Sequence, residues 1–198
     1  WGLSLAQGDA LALWSPATPS EPGRLQVQSA FLRASPAVGA VGARNPTGRL
    51  PEMHAQILAG MLVHMPSDQQ PMAMGSLMLA LPRIRQRGFG FDATLGEFAW
   101  MGLLLELVRD GALLANLNAE LMAPPKIHAP SAPAAATVIA LARVRERLLP
   151  LVFPDLPSSA AQRLARLYGH EWAPGASHAT ALLRDMATAC EGRGDPHV

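Results

Sequence analysis

The stretch from Thr94 to Met122, TLGEFAWMGLLLELVRDGALLANLNAELM, decides how the fold is read. Its first half is the most apolar run of the chain. Thr94 and Glu97 have the spacing of a capping box, in which hydroxyl and carboxylate satisfy each other's free backbone donors. A helix this apolar belongs at the centre of a core, so the others are expected to pack around it. Asp110-Gly111 breaks the helical run in two, and Pro124 with Pro125 ends the second half.

Helical spacing continues outward on both sides. Ser67 caps a segment in which Met74, Leu77, Met78 and Leu81 share one face until Pro82. Pro51 suits the first turn of a helix that runs to about Met65, with Met53, Ile57, Met61 and His64 or Met65 inward. Nearer the amino terminus, Ser4 to Trp14 and Leu25 to Ala34 read as short helices separated by a proline-rich loop, and Pro36 to Gly48 reads as a turn or loop. On the carboxy-terminal side, Ala123 to Ala136 holds four prolines and an alanine run, the composition of a linker. Thr137 to Leu149, Ser159 to His170 and Ser177 to Cys190 then read as three shorter helices. With no alternating strand pattern of useful length, the expectation is an all-α protein. Its parts are a Met-rich bundle over residues 1–122, a linker over 123–136 and a small three-helix unit over 137–198.

Composition narrows the function mainly by what is absent. Hydrophobic residues make up 49% and charged residues 16%, too few charges to cover a surface of ordinary polarity, so part of that surface is expected to face another chain. A net charge of +1 provides no global field to steer nucleic acid or an anionic membrane. Cys190 stands alone, which removes internal disulfides and Cys-rich metal sites. The apolar runs are shorter than a membrane span or interrupted by Glu97 and Glu106, so no transmembrane segment is expected. A cytoplasmic location is the simplest reading, although a chain beginning at Trp1 leaves export with a removed leader open.

Eight of the nine methionines fall between Met53 and Met122. Flexible, polarizable methionine fills irregular cores or coats adaptable binding surfaces. Met61, Met65, Met72 and Met74 with Leu103 and Leu107 are therefore the candidate partner-binding patch. The reading that follows is a non-enzymatic adaptor or assembly subunit of a bacterial multiprotein complex, bound to another chain or to copies of itself, with no cofactor, metal or catalytic residue. Two alternatives, one metal-binding and one enzymatic, stand beside it. Soft ligands at Met61, His64, Met65, Met72, Met74 and Met78 have loose spacing for Cu(I). For acid–base work, Glu97 and Glu106 lie in the most apolar segment and Glu106 could pair with His54 or His64, but Glu97 is accounted for by its capping box and Glu106 has Arg109 three residues on as an ion-pair partner.

Arginine is grouped at Arg83, Arg85 and Arg87, at Arg143, Arg145 and Arg147, and at Arg163 and Arg166. Ile139-Ala140-Leu141-Ala142, Leu156-Pro157-Ser158, Arg163 to Tyr168 and Ala173-Pro174-Gly175 together resemble the amino-terminal helix-turn-helix of FlhC-type transcriptional activators, over about a sixth of the chain. The resemblance implies nucleic acid as the alternative partner, with Arg163 and Arg166 toward phosphate or bases and Arg143 and Arg147 as further phosphate contacts. The four-cysteine zinc site of that family has no counterpart in a chain with one cysteine.

Overall fold

The structure, a computed structural model, describes residues 2–16, 19–44, 53–64, 71–123 and 135–170; side chains within these are described except at 44, 63, 64, 135, 163 and 166–170. The elements in chain order are α1 (Gly2–Leu5), β1 (Ala10–Ala12), α2 (Arg24–Ala34), β2 (Val38–Arg44), α3 (His54–His64), β3 (Met78–Ala80), α4 (Leu81–Arg87), α5 (Ala99–Arg109), β4 (Leu113–Glu120), α6 (Ala135–Val152) and α7 (Ser158–His170). Two 3-10 segments, Met74–Ser76 and Ala93–Phe98, precede β3 and α5. The all-α expectation is thereby corrected: a four-stranded mixed sheet in the order β1-β3-β2-β4 forms the middle of an α/β fold.

The corrections fall on strands whose sequences hide them. β2, VGAVGAR, lies in the segment read as a loop. It lacks polar alternation because both of its faces are covered, and Ala40, Val41 and Ala43 are fully buried. Its glycines answer to packing. A Cβ on Gly39 would sit 2.7 Å from the Ala112 Cβ, and one on Gly42 would collide with the Asn116 side chain. β4 (Leu113–Glu120) occupies the place where the helical spacing predicts the second half of a broken helix. The break at Asp110-Gly111 is in fact a chain reversal: Gly111 adopts φ 83°, its N–H donates to Val108 O, and Ala112 N–H donates to Leu107 O. That is the left-handed glycine cap that ends a helix, and β4 then runs back beside α5. Met78 to Ala80, placed on a helical face by the sequence reading, is β3. The run Ser4 to Trp14 is the one-turn α1 followed by β1.

The helices α2, α3, α5, α6 and α7 lie close to where the spacing puts them. Arg83, Arg85 and Arg87 belong to α4, where Pro82 occupies the first turn instead of ending a helix. α5 is the central helix, with Trp100 to Leu105 and Leu107 all buried. One face of the sheet packs Val38, Val41 and Met78 against Phe31 and Leu32 of α2. The other places Ala40, Leu79 and Leu114 in a core shared with α3, α5, α6 and α7. The core residues Leu141, Val144, Leu148 and Leu164 tie the last two helices into that same cluster.

No helix of the described residues is long and apolar enough to cross a membrane. The expected helix Ser177 to Cys190, the Ser67/Gln70 cap and most of the 123–136 linker lie outside the described residues.

Candidate functional site

Strand directions single out one end of the sheet. β1 and β2 both run antiparallel to β3 and so run parallel to each other, and β4 is parallel to β2. Their carboxyl ends therefore gather together, the place where open α/β sheets bind ligands. At that end lie Trp14, which follows β1 and is 64% exposed, Met74 at 38%, and Glu120 at the end of β4. The backbone after β1 crosses to the far strand. Leu13 N–H donates to Leu77 O, Ser20 bridges to Met122, Glu21 N–H donates to Leu121 O, and Ala123 N–H donates to Pro19 O.

Arg24 holds this crossing from beneath. Only 2% exposed, it donates from Nε to Gln28 Oε1 at 2.9 Å, from Nη1 to Ser20 Oγ at 2.8 Å, and from Nη2 to the carbonyls of Leu13 and Leu77, each at 3.0 Å. Gln28 continues the network to Ser76 O at 2.8 Å and Val41 O at 3.3 Å. Burial pulls the guanidinium pKa below its ordinary value. Its partners here are neutral acceptors, so the charge serves to gather loop carbonyls from two segments. Nothing in the composition marks Arg24 as different from the other arginines.

A second polar feature opens between the Ala93–Phe98 segment, α5, α6 and α7. It is a cleft of about 640 Å³ lined by Arg109, Arg143 and Arg147 together with Thr94, Ser158 and Gln162; Glu146 also lines it. Arg143 Nη1 donates to Thr94 O at 3.1 Å, and Arg147 Nη2 pairs with Asp92 Oδ2 at 2.6 Å. Arg109 pairs with Glu106 at 3.2 Å, the i, i+3 contact expected from the sequence, and reaches Arg147 O at 3.4 Å. The Asp92 carboxyl is held down to about 2, first by the Thr94 hydroxyl and then by Arg147 and the Thr94 N–H. Asp92 is thus the residue that caps the 3-10 segment. Glu97, expected to form a capping box with Thr94, instead accepts from the Thr137 hydroxyl at 2.7 Å.

The other sequence candidates are dispersed. Met61, Met72, Leu103 and Leu107 are at most 1% exposed and sit in the chain's own core; Met74 is at the carboxyl end of the sheet, and Met65 lies outside the described residues. Met78 is in the cluster on the opposite face of the sheet from Met61 and Met72. His54 Nδ1 accepts from Leu114 N–H at 3.0 Å, covering a donor on the outer strand of the sheet, while Glu106 pairs with Arg109. Burial lowers the His54 pKa, consistent with an imidazole that must stay neutral to accept. The side chains of His64, Arg163 and Arg166 lie outside the described residues. Arg83 and Arg87 share the Asp110 carboxylate at 2.7 and 2.8 Å, and the Arg83 hydrogen bond is the chief reason that carboxyl titrates below its ordinary value. Among the described residues, no group of three His, Cys, Asp or Glu side chains is placed to hold a metal ion.

No protein-family model and no curated protein matches the chain. The fold is similar to the crystal structure of S. aureus TarS 1-349 in complex with UDP-GlcNAc, with a TM-score of 0.52 at 10% identity, over 85% of this chain and 50% of that one. At that identity the likeness concerns the fold, and the chain spans half the length of the TarS structure. Burial corrects the non-enzymatic adaptor reading, whose Met/Leu surface is in large part this chain's interior. α6 and α7, the helices that carry the helix-turn-helix resemblance, pack into the core they share with the sheet.

Proposed function

We propose that this chain is part of a glycosyltransferase-type enzyme and binds a nucleotide-activated sugar, the class of ligand held by TarS, at the carboxyl ends of β1, β2 and β4. The observation that carries the reading is the convergence of those strand ends in a fold similar to that of a UDP-GlcNAc-bound glycosyltransferase. Trp14 supplies an exposed indole face there, a surface suited to stacking on a nucleobase or on the apolar face of a sugar ring. Arg24 acts as a positioning residue, because it fixes the hydrogen-bonded pair Leu13 and Leu77 by their carbonyls at that end of the sheet.

The test is a calorimetric titration of the protein with UDP-GlcNAc and with UDP-glucose, repeated on Trp14→Ala. Saturable binding that weakens about tenfold in the variant, equivalent to roughly 1.4 kcal/mol, supports the reading. Absence of binding to either nucleotide sugar, or equal affinity in Trp14→Ala, rejects it.

A further inference from the structure

We infer that the arginine-lined cleft beside α6 is a second binding site, separate from the carboxyl end of the sheet, and that its ligand is a small phosphorylated compound. The inference stands on the cleft's own chemistry and does not depend on the nucleotide-sugar reading.

Three guanidinium groups and the Glu146 carboxylate line the opening, and Asp92 and Glu106 offset Arg147 and Arg109, so the positive charge of the cleft is local to Arg143. The arginines are not equivalent. Arg147 is engaged by Asp92 and Arg109 by Glu106, whereas Arg143 meets the neutral carbonyl of Thr94. A guanidinium whose partner is a carbonyl retains its full charge for an incoming anion, and its planar fork of donors matches the oxygens of a phosphate. Arg109 and Arg147, held in place by their carboxylates, stand beside it with donors to spare. Thr94, Ser158 and Gln162 add hydroxyl and amide groups able to bond the neutral part of such a ligand.

Size is consistent with this assignment. About 640 Å³ is within the range of small-molecule sites and far larger than a single phosphate needs. The ligand is therefore a phosphate ester or diphosphate carrying an organic group, and Arg143 is the residue on which its phosphate is centred. α6 presents Arg143, Glu146 and Arg147 within little more than one turn, so three charges of the site move as one rigid unit.

Calorimetric titrations with inorganic pyrophosphate and with glucose 1-phosphate test the site. Both should bind the wild-type protein, with affinity falling as salt is raised. Arg143→Gln should weaken binding about tenfold, and Glu146→Gln, which removes the one lining carboxylate, should tighten it a few-fold. Arg143 is exposed, so its variant should melt with the wild type and an affinity loss can be assigned to the site. Failure of both probes to bind, or unchanged affinity in Arg143→Gln, overturns the proposal. UDP-GlcNAc affinity should survive Arg143→Gln. Its loss there would put a nucleotide diphosphate in this cleft and overturn the separation of the two sites.

Discussion

Arg24 and Arg143 both donate to backbone carbonyls, yet they occupy opposite extremes of environment. Arg24 is buried, and four hydrogen bonds to neutral oxygens draw together the end of β1, the crossing segment and the residue before β3. Arg143 is exposed on α6 and makes one such bond at the rim of a cleft. Burial decides what each charge does. Deep in the fold, a guanidinium costs too much to desolvate unless its donors are satisfied, so it acts as a structural clamp. At the rim it pays little for its charge and keeps donors directed at solvent, the condition for recognising an anion.

The largest expected effect comes from breaking the clamp. Arg24→Met keeps much of the side-chain volume but leaves the Leu13 carbonyl and Gln28 Oε1 without this donor and takes one of two donors from Leu77 O; chemical denaturation should show a loss of about 2–4 kcal/mol. The same substitution at Arg143 should cost less than about 0.5 kcal/mol, because nothing buried depends on it. Equal losses at the two positions would erase the distinction.

An intermediate effect is expected at His54, another buried-partner contact. Its pKa in the folded state is lowered, so the unfolded chain takes up the proton first. The contribution of His54 should be complete above about pH 6.5 and should decline as pH falls below that value, while the Leu114 N–H loses its acceptor. Denaturation of wild type and His54→Gln at pH 8 and pH 5.5 should show the steeper pH dependence in the wild type.

The smallest effect belongs to the cleft. With the Asp92 carboxyl depressed from 3.8 to about 2, its stabilising contribution is present above pH 4 and is lost as pH falls from about 4 to 2. Asp92→Asn should flatten the acid limb of a stability profile in that window and leave neutral pH nearly unchanged. A large neutral-pH loss would show that the Asp92–Arg147 pair bears more of the fold than a half-exposed ion pair is expected to.

The legible parts of the fold were those with a period of 3.6. α3, α6 and α7 follow apolar spacing and proline punctuation closely, the burial of α5 follows from its composition, and α2 lies where it was expected although it buries Arg24 and Gln28 and exposes Leu25 and Val27. The sheet was hidden for two physical reasons. β2 is a central strand covered on both faces, so it displays small apolar residues where an exposed strand would alternate; Pro36 ahead of it and Asn45-Pro46 behind it were the available signal for a short buried strand. β4 does alternate, with Leu114 and Asn116 buried between more exposed neighbours, but it adjoins the most helical run of the chain and its leucines were absorbed into that helix.

The sites show the same split. Arg143 and Arg147 were marked out by grouping alone, and what they face, Thr94 and Asp92, depends on how α6 packs against the 3-10 segment. Trp14 and Arg24 had no sequence signal of their own. Their importance comes from strand direction, which a pattern read as helical cannot supply. The methionines marked the core: Met61, Met72 and Met101 are each at most 1% exposed.

Mapping UDP-GlcNAc onto the protein by amide chemical-shift perturbation tests most directly whether the carboxyl end of this sheet is a nucleotide-sugar site. The expected result is a saturating set of shifts at Leu13 to Ser15, Met74 to Leu77 and Glu120 to Met122, with α6 unperturbed around Arg143. Shifts confined to α6 and α7, or none at millimolar ligand, would contradict it.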